Sequence, residues 1–199
     1  MNYPIYFDSK KSSHLFELND RFDFLKDLYI KNKLPNVLML SGQKGLGKST
    51  LINHLLFYIF DKNNYDVKNY NFDNKTSFYN QFLSNIFSNI IYLSGSDFKN
   101  IKIEDIRNLK SKILKTTILN KPRFIIFDDV EVFNNNSLNA LLKILEEPSK
   151  NNHFVLINNL SNPLIDTIKS RCLEIKILLN EKKRQNIIKF LIEKFKIQL

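Results

Sequence analysis

Residues 42–50 read Gly-Gln-Lys-Gly-Leu-Gly-Lys-Ser-Thr and constrain the fold more than any other stretch of the chain. The pattern G-x-x-x-x-G-K-[ST] is filled by Gly42, Gly47, Lys48 and Ser49. Three of the chain's four glycines lie within it, Gly42, Gly45 and Gly47. Glycine allows positive φ and a close approach of backbone to ligand. The apolar run Val37-Leu38-Met39-Leu40 before the loop has the composition of a buried parallel strand, and the apolar stretch from Ser49 to Phe60 after it reads as a helix. A strand, a glycine turn and a helix N-terminus in that order aim several N–H groups and the positive helix end at one point, which is a phosphate site. Lys44, Gly45, Gly47, Lys48, Ser49 and Thr50, with Gly42, are the candidate binders of a nucleoside triphosphate; the Lys48 ammonium reaches the β- and γ-phosphates and the Ser49 hydroxyl ligates Mg²⁺. A glycine turn with an incidental lysine is the alternative, and it does not account for the flanking strand and helix.

The rest of the chain alternates in the same way. Phe22, Leu25, Leu28 and Tyr29 recur at helical spacing, so 21–33 is an amphipathic helix ended by Leu34-Pro35. Strands are expected at 37–40, 90–93, 123–127, 153–157 and 173–178, and helices at 49–60, 81–89, 104–114, 137–146, 163–170 and 181–196. Residues 61–80 are dense in Asn, Asp, Lys and Tyr without apolar periodicity, and read as a solvent-exposed loop or insertion. Residues 1–20 are weakly patterned. The fold class is α/β: a five-stranded, mostly parallel sheet flanked by helices. Residues 1–180 make the nucleotide-binding domain, and 181–199 the first helix of a lid. In such sheets ligands bind beyond the carboxyl ends of the strands, where Gly42, Asp128 and Asn158 all fall.

Arg123 to Phe127 is an apolar strand ending in Asp128-Asp129. In P-loop proteins an aspartate at such a strand end holds Mg²⁺, which assigns Asp128 to the metal beside Ser49. Asp129 is placed to polarise an attacking water. A capping pair at a strand end is the ordinary alternative. His14, His54 and His153 have no ligand partners at metal spacing and read as structural. Cys172 is the single cysteine, so no internal disulfide and no cysteine zinc cage can form. With no apolar run of membrane length and no signal pattern at the N-terminus, the expected location is the cytoplasm, with no membrane partner. The net charge of +10 favours polyanions, although the lysines are scattered rather than clustered.

Further stretches exceed what a generic P-loop protein needs. Ser137-Leu138-Asn139-Ala140-Leu141-Leu142-Lys143-Ile144-Leu145-Glu146-Glu147-Pro148 follows the acidic pair, Thr167 to Cys172 with its Ser-Arg-Cys follows the fourth strand, and Ile103 to Leu109 precedes the third. Together these resemble the clamp-loader branch of the AAA+ ATPases over about residues 22–180, with the delta-prime type of bacterial DNA polymerase III subunit nearest in pattern and the gamma/tau type a near relative. The resemblance implies roles for particular residues. Arg171 is the arginine finger reaching a neighbouring subunit's nucleotide, with a surface ion pair to Glu146 or Glu147 as its plainer alternative. Asn158, with Asn159 second, is the sensor of the γ-phosphate. Lys143 is a candidate DNA-backbone contact or a solvated helix lysine. ATP and Mg²⁺ are the implied cofactors, and the implied partners are the gamma/tau and delta subunits, the sliding clamp and primed DNA.

The sequence also departs from that pattern. Many relatives bind zinc through four cysteines after the P-loop helix, and 61–80 contains none, so zinc is not expected. The acidic pair is Asp-Asp where motor subunits carry Asp-Glu, and the shorter Asp129 implies ATP binding with weak hydrolysis. The glycine-containing, adenine-cradling loop is not recognisable in 15–20. The chain ends at Leu199, before the rest of the lid and a collar. The function these features imply is that of an ATP-binding clamp-loader subunit. The alternatives are a stand-alone ATPase and a nucleotide-independent stator. A small-molecule kinase requires an arginine-rich lid, and 61–80 has no arginine.

Overall fold

A computed structural model of the chain describes residues 8–95, 106, 108–109, 113, 121–148 and 151–195. The elements in chain order are α1 (Asn19–Ile30), β1 (Val37–Ser41), α2 (Lys48–Phe60), β2 (Tyr65–Asp66), β3 (Asn71–Phe72), α3 (Ser77–Leu83), β4 (Ile90–Ser94), β5 (Arg123–Asp128), α4 (Asn135–Leu145), β6 (Asn152–Asn158), α5 (Asp166–Lys169), β7 (Leu173–Lys176) and α6 (Glu181–Phe195). The helix expected over 104–114 lies largely outside the described residues; Ile106, Asn108, Leu109 and Ile113 of it are helical. The Ile103–Leu109 stretch shares that limit.

The main sheet has five strands in the order β4-β5-β6-β1-β7, all parallel. Its central strands are continuous apolar runs because both faces are covered, and their period-2 alternation sends successive residues to opposite cores. Leu38, Leu40, Phe124, Ile126, Val155 and Ile157 enter the core under α1 and α2. Val37, Met39, Ile125, Phe127, Phe154 and Leu156 enter the core under α4 and α5. Helix α4 starts where Asn134 accepts a hydrogen bond from the Ser137 N–H at 2.9 Å, as the run of asparagines implied.

The stretch 61–80 corrects the sequence expectation of an exposed loop. It holds a short 3₁₀ turn, an antiparallel β2–β3 hairpin and the start of α3, which runs from Ser77 rather than through 81–89. Tyr65, Phe72, Phe78 and Tyr79 are buried there. Phe72 stacks on Phe57 of α2 with ring centroids 3.8 Å apart. These rings are spaced irregularly along the chain, so no helical or strand period reveals them, while the Asn, Asp and Lys between them face solvent. Within residues 8–18, Leu15 and Leu18 are buried, and His14 bridges to Asn71.

Candidate nucleotide site

Helix α2 begins where the sequence places a phosphate loop. Gly47, its N-cap, has φ +78, and Gly45 has φ +86. Gly42 (φ +155) lies against the Ile177 carbonyl, where any Cβ would overlap that oxygen. Gly42 is fixed by that close approach, whereas Gly45 and Gly47 are fixed by their positive φ. Lys48 is 3% exposed, and its Nζ donates to the Gly42 and Gln43 carbonyls at 2.7 Å each. Burial lowers its pKa to about 8, against the opposing pull of Asp128, Glu131 and Asp129.

The parallel register brings the acidic pair alongside. Ser49 Oγ donates to Asp128 Oδ2 at 2.8 Å. Tyr92, from β4, donates its hydroxyl to the same oxygen. The Asp129 N–H donates to Asp128 Oδ1 at 3.0 Å. Asp129 itself is buried in a left-handed conformation (φ 52); its Oδ1 accepts from Asn159 Nδ2 at 2.6 Å and lies 3.7 Å from Lys44 Nζ. Buried Glu131 accepts from the Asn159 N–H at 3.1 Å and from Ser161 Oγ at 2.7 Å. Two carboxylates after β5 thus hold the loop after β6.

These groups border a cavity of about 580 Å³. Its polar end is the loop from Lys44 to Thr50 with Asp128, Asp129 and Asn159, and its apolar wall comes from Leu15, Phe16, Leu18, Leu179, Ile187 and Leu191. Polar residues at one end and an aliphatic wall at the other suit a phosphorylated ligand with a flat base. The wall closes from both sides, because Lys183 of α6 donates to the Glu17 carbonyl at 3.0 Å and to Asp20 at 3.1 Å. The hard oxygen donors Ser49 and Asp128 fit Mg²⁺, which is held by one or two carboxylates plus waters and phosphate oxygens. Among the described residues no group of three His, Cys, Asp or Glu converges as a metal cage.

The remaining candidates lie where their elements carry them. Asn158, at the end of β6, is turned into its own loop and accepts from the Leu160 N–H at 2.9 Å; Asn159 lines the cavity instead. Arg171 precedes β7, which runs parallel to β1 with Leu173 opposite Leu38, so it lies at the amino edge of the sheet, about 20 Å from the loop by strand rise. There it donates to Glu146 at 2.6 Å and to the Thr167 carbonyl at 2.8 Å. Lys143 is exposed on α4. Cys172 donates to the Ile168 carbonyl, and burial pushes its thiol up to about 11, which keeps it protonated. His54 is buried against Tyr65, and His14 and His153 are also held by ring or backbone contacts.

Sequence reading missed Tyr92, Glu131, Ser161 and the N-terminal wall of the cavity. Tyr92 is visible only once β4 is known to neighbour β5, with Ser94 opposite Asp128. Glu131 lay in plain view three residues after Asp128, but nothing in its spacing says that it is buried.

A family model described as DNA polymerase III, delta subunit, matches residues 18–181. A delta' subunit from Buchnera aphidicola subsp. Baizongia pistaciae is 27% identical over 150 residues, covering 71% of this chain and 44% of that protein. A gamma subunit from Buchnera aphidicola subsp. Acyrthosiphon pisum is 26% identical over 171 residues, covering 81% and 44%. The chain thus spans less than half the length of these two relatives. Among solved structures, a gamma subunit-related protein from Thermotoga maritima superposes with TM-score 0.61 at 23% identity, covering 88% of this chain and 52% of that one. The RuvB Holliday junction branch migration motor of the same organism superposes with TM-score 0.54 at 17% identity, covering 96% and 56%. The architecture is therefore the AAA+ fold. Among the described residues no helix is long and apolar enough to cross a membrane.

Proposed function

From the premise that the chain belongs to the DNA polymerase III delta-subunit family, we propose that it is an ATP-binding subunit of a cytoplasmic clamp loader, acting in DNA replication. Its partners in this reading are gamma/tau and delta subunits, the sliding clamp and, through the complex, primed DNA. One observation carries the reading: the phosphate loop and the acidic pair share one cavity at the carboxyl edge of the sheet, while Arg171 stands at the amino edge, out of reach of that cavity. Such a chain holds a nucleotide with one edge and serves a neighbour with the other.

Gly42, Lys44, Gly45, Gly47, Lys48, Ser49 and Thr50 hold the phosphates, and Leu15, Leu18 and Ile187 enclose the base. Ser49 and Asp128 hold Mg²⁺, which when bound offsets phosphate charge. Helix α6 serves as the first lid helix. Asn159 takes the sensing role, and Asn158 shapes its loop through Leu160. Asp129 is a weak base for water, since its carboxylate is one methylene short and is engaged by Asn159 and Lys44. ATP is thus bound and sensed here more than hydrolysed. Arg171 acts in trans, where a planar, permanently charged guanidinium suits phosphate. Lys143 meets DNA backbone without reading sequence. Zinc has no part in this reading, and Tyr65 and Phe72 of the β2–β3 segment pack on Phe22 and Phe57.

Affinity capture of the tagged chain from extract tests the assignment of partners. Recovery of gamma/tau, delta and the clamp is the expected result, and a soluble chain that recovers none of them overturns it.

A further inference from the structure

Tyr92 has no role in the reading above, yet its hydroxyl is bonded to the carboxylate on which the metal depends. Strand β4 pairs with β5 so that Tyr92 lies opposite Ile126 and Ser94 opposite Asp128. Tyr92 and Asp128 therefore emerge on the same face of the sheet, two residues apart along the strand direction. A tyrosine ring leaning along the strand covers that offset, and the hydroxyl donates to Asp128 Oδ2. The ring lines the cavity, with Lys10 Nζ 4.7 Å from its centroid.

Asp128 is held from three sides. The Asp129 N–H fixes Oδ1 at 3.0 Å, and Ser49 and Tyr92 both donate to Oδ2. Ser49 is itself a candidate metal ligand, so its hydroxyl must also serve the ion. The Tyr92 hydroxyl and the Asp129 N–H have no such second duty. They fix one oxygen each, which sets the plane of the carboxylate at the edge of the cavity. Ligating carboxylates are commonly oriented by such outer partners.

We propose that Tyr92 is a positioning residue that orients Asp128 for Mg²⁺ bound with the nucleotide. This rests on the assignment of Ser49 and Asp128 as the Mg²⁺ pair. Packing alone would be met equally by phenylalanine, so the hydroxyl is the part under test.

The experiment uses the full chain and a fluorescent ATP analogue, titrated without Mg²⁺ and then with Mg²⁺ at fixed analogue. Tyr92→Phe keeps the ring and its contact with Lys10. Its expected behaviour is unchanged Mg²⁺-free binding, with the half-effective Mg²⁺ concentration raised about 10-fold or more, as for lost outer-shell partners. Asp128→Asn sets the scale of complete loss. A Tyr92→Phe chain with the wild-type Mg²⁺ requirement overturns the proposal. So does loss of Mg²⁺-free binding, which makes Tyr92 a wall of the cavity rather than a brace for Asp128. A wild-type chain whose affinity ignores Mg²⁺ refutes instead the Ser49–Asp128 assignment beneath it.

Discussion

His54 makes the chain acid-sensitive in a way that can be calculated. It lies on α2, wholly buried, with Nδ1 3.0 Å from the Tyr65 hydroxyl and the ring tilted on Phe72 at 5.0 Å. Burial lowers its pKa to about 3, against an unfolded value near 6.5. The folded chain therefore refuses a proton that the unfolded chain accepts, and stability falls as pH drops below about 6.5 and keeps falling to about 3. Between pH 7 and pH 5 the loss from this one group is about 2 kcal/mol. The matching control is His54→Leu combined with Tyr65→Phe, which removes both polar partners and strands neither. His14 and His153 are also lowered by burial, but they remain in both proteins and cancel in the comparison. Urea unfolding at the two pH values is the assay. At a slope of 1–3 kcal/mol per molar, the wild-type midpoint should fall by roughly 1 M more than that of the double variant. An equal pH-dependent loss in both proteins means that His54 is not the source of the acid sensitivity.

Other perturbations test the loop and its scaffold. Gly42→Ala forces a Cβ onto the Ile177 carbonyl, whereas Gly45→Ala meets no atom within 4 Å and bears only its positive φ, so binding of the fluorescent analogue should fall far more for the first in the same titration. Asn134→Ala removes the N-cap of α4 and should cost about 1 kcal/mol, read as a fall in Tm of about 2–4 °C. Phe57→Ala empties the middle of the aromatic cluster that joins α2 to β3 and α3, and should cost about 3–5 kcal/mol in denaturant unfolding.

The main sheet was legible because its strands are apolar runs of strand length set between helical patterns. Both faces of the central strands are buried, and that is what makes such a run continuous. The glycine-rich loop and Asp128 stood out for a different reason, a fixed residue spacing and an acidic strand end, and the structure brings the two together at Ser49 and Asp128. What stayed hidden depends on proximity between distant segments. Tyr65, Phe72 and Phe78 were obscured by the polar residues around them, and they are buried by rings from distant segments, Phe22 of α1, Phe57 of α2 and Phe87 before β4. The choice between Asn158 and Asn159 turns on which side chain points back at Leu160 and which at Asp129, a matter of loop geometry with no periodic signature. The Glu146 partner of Arg171 was foreseen as an alternative to the finger. The contact is present, and an exposed ion pair of this kind is weak enough to exchange for a phosphate.

In the proposed function one chain holds its own nucleotide at the carboxyl edge and serves a neighbour's from the amino edge. The most direct test compares two variants in a reconstituted complex, reading DNA-stimulated ATP hydrolysis by the complex and analogue binding by the free chain. Arg171→Ala is expected to abolish the hydrolysis and leave the chain's own binding intact, while Lys48→Ala abolishes that binding. Unchanged hydrolysis by the Arg171→Ala complex, or loss of the chain's own binding in that variant, contradicts it.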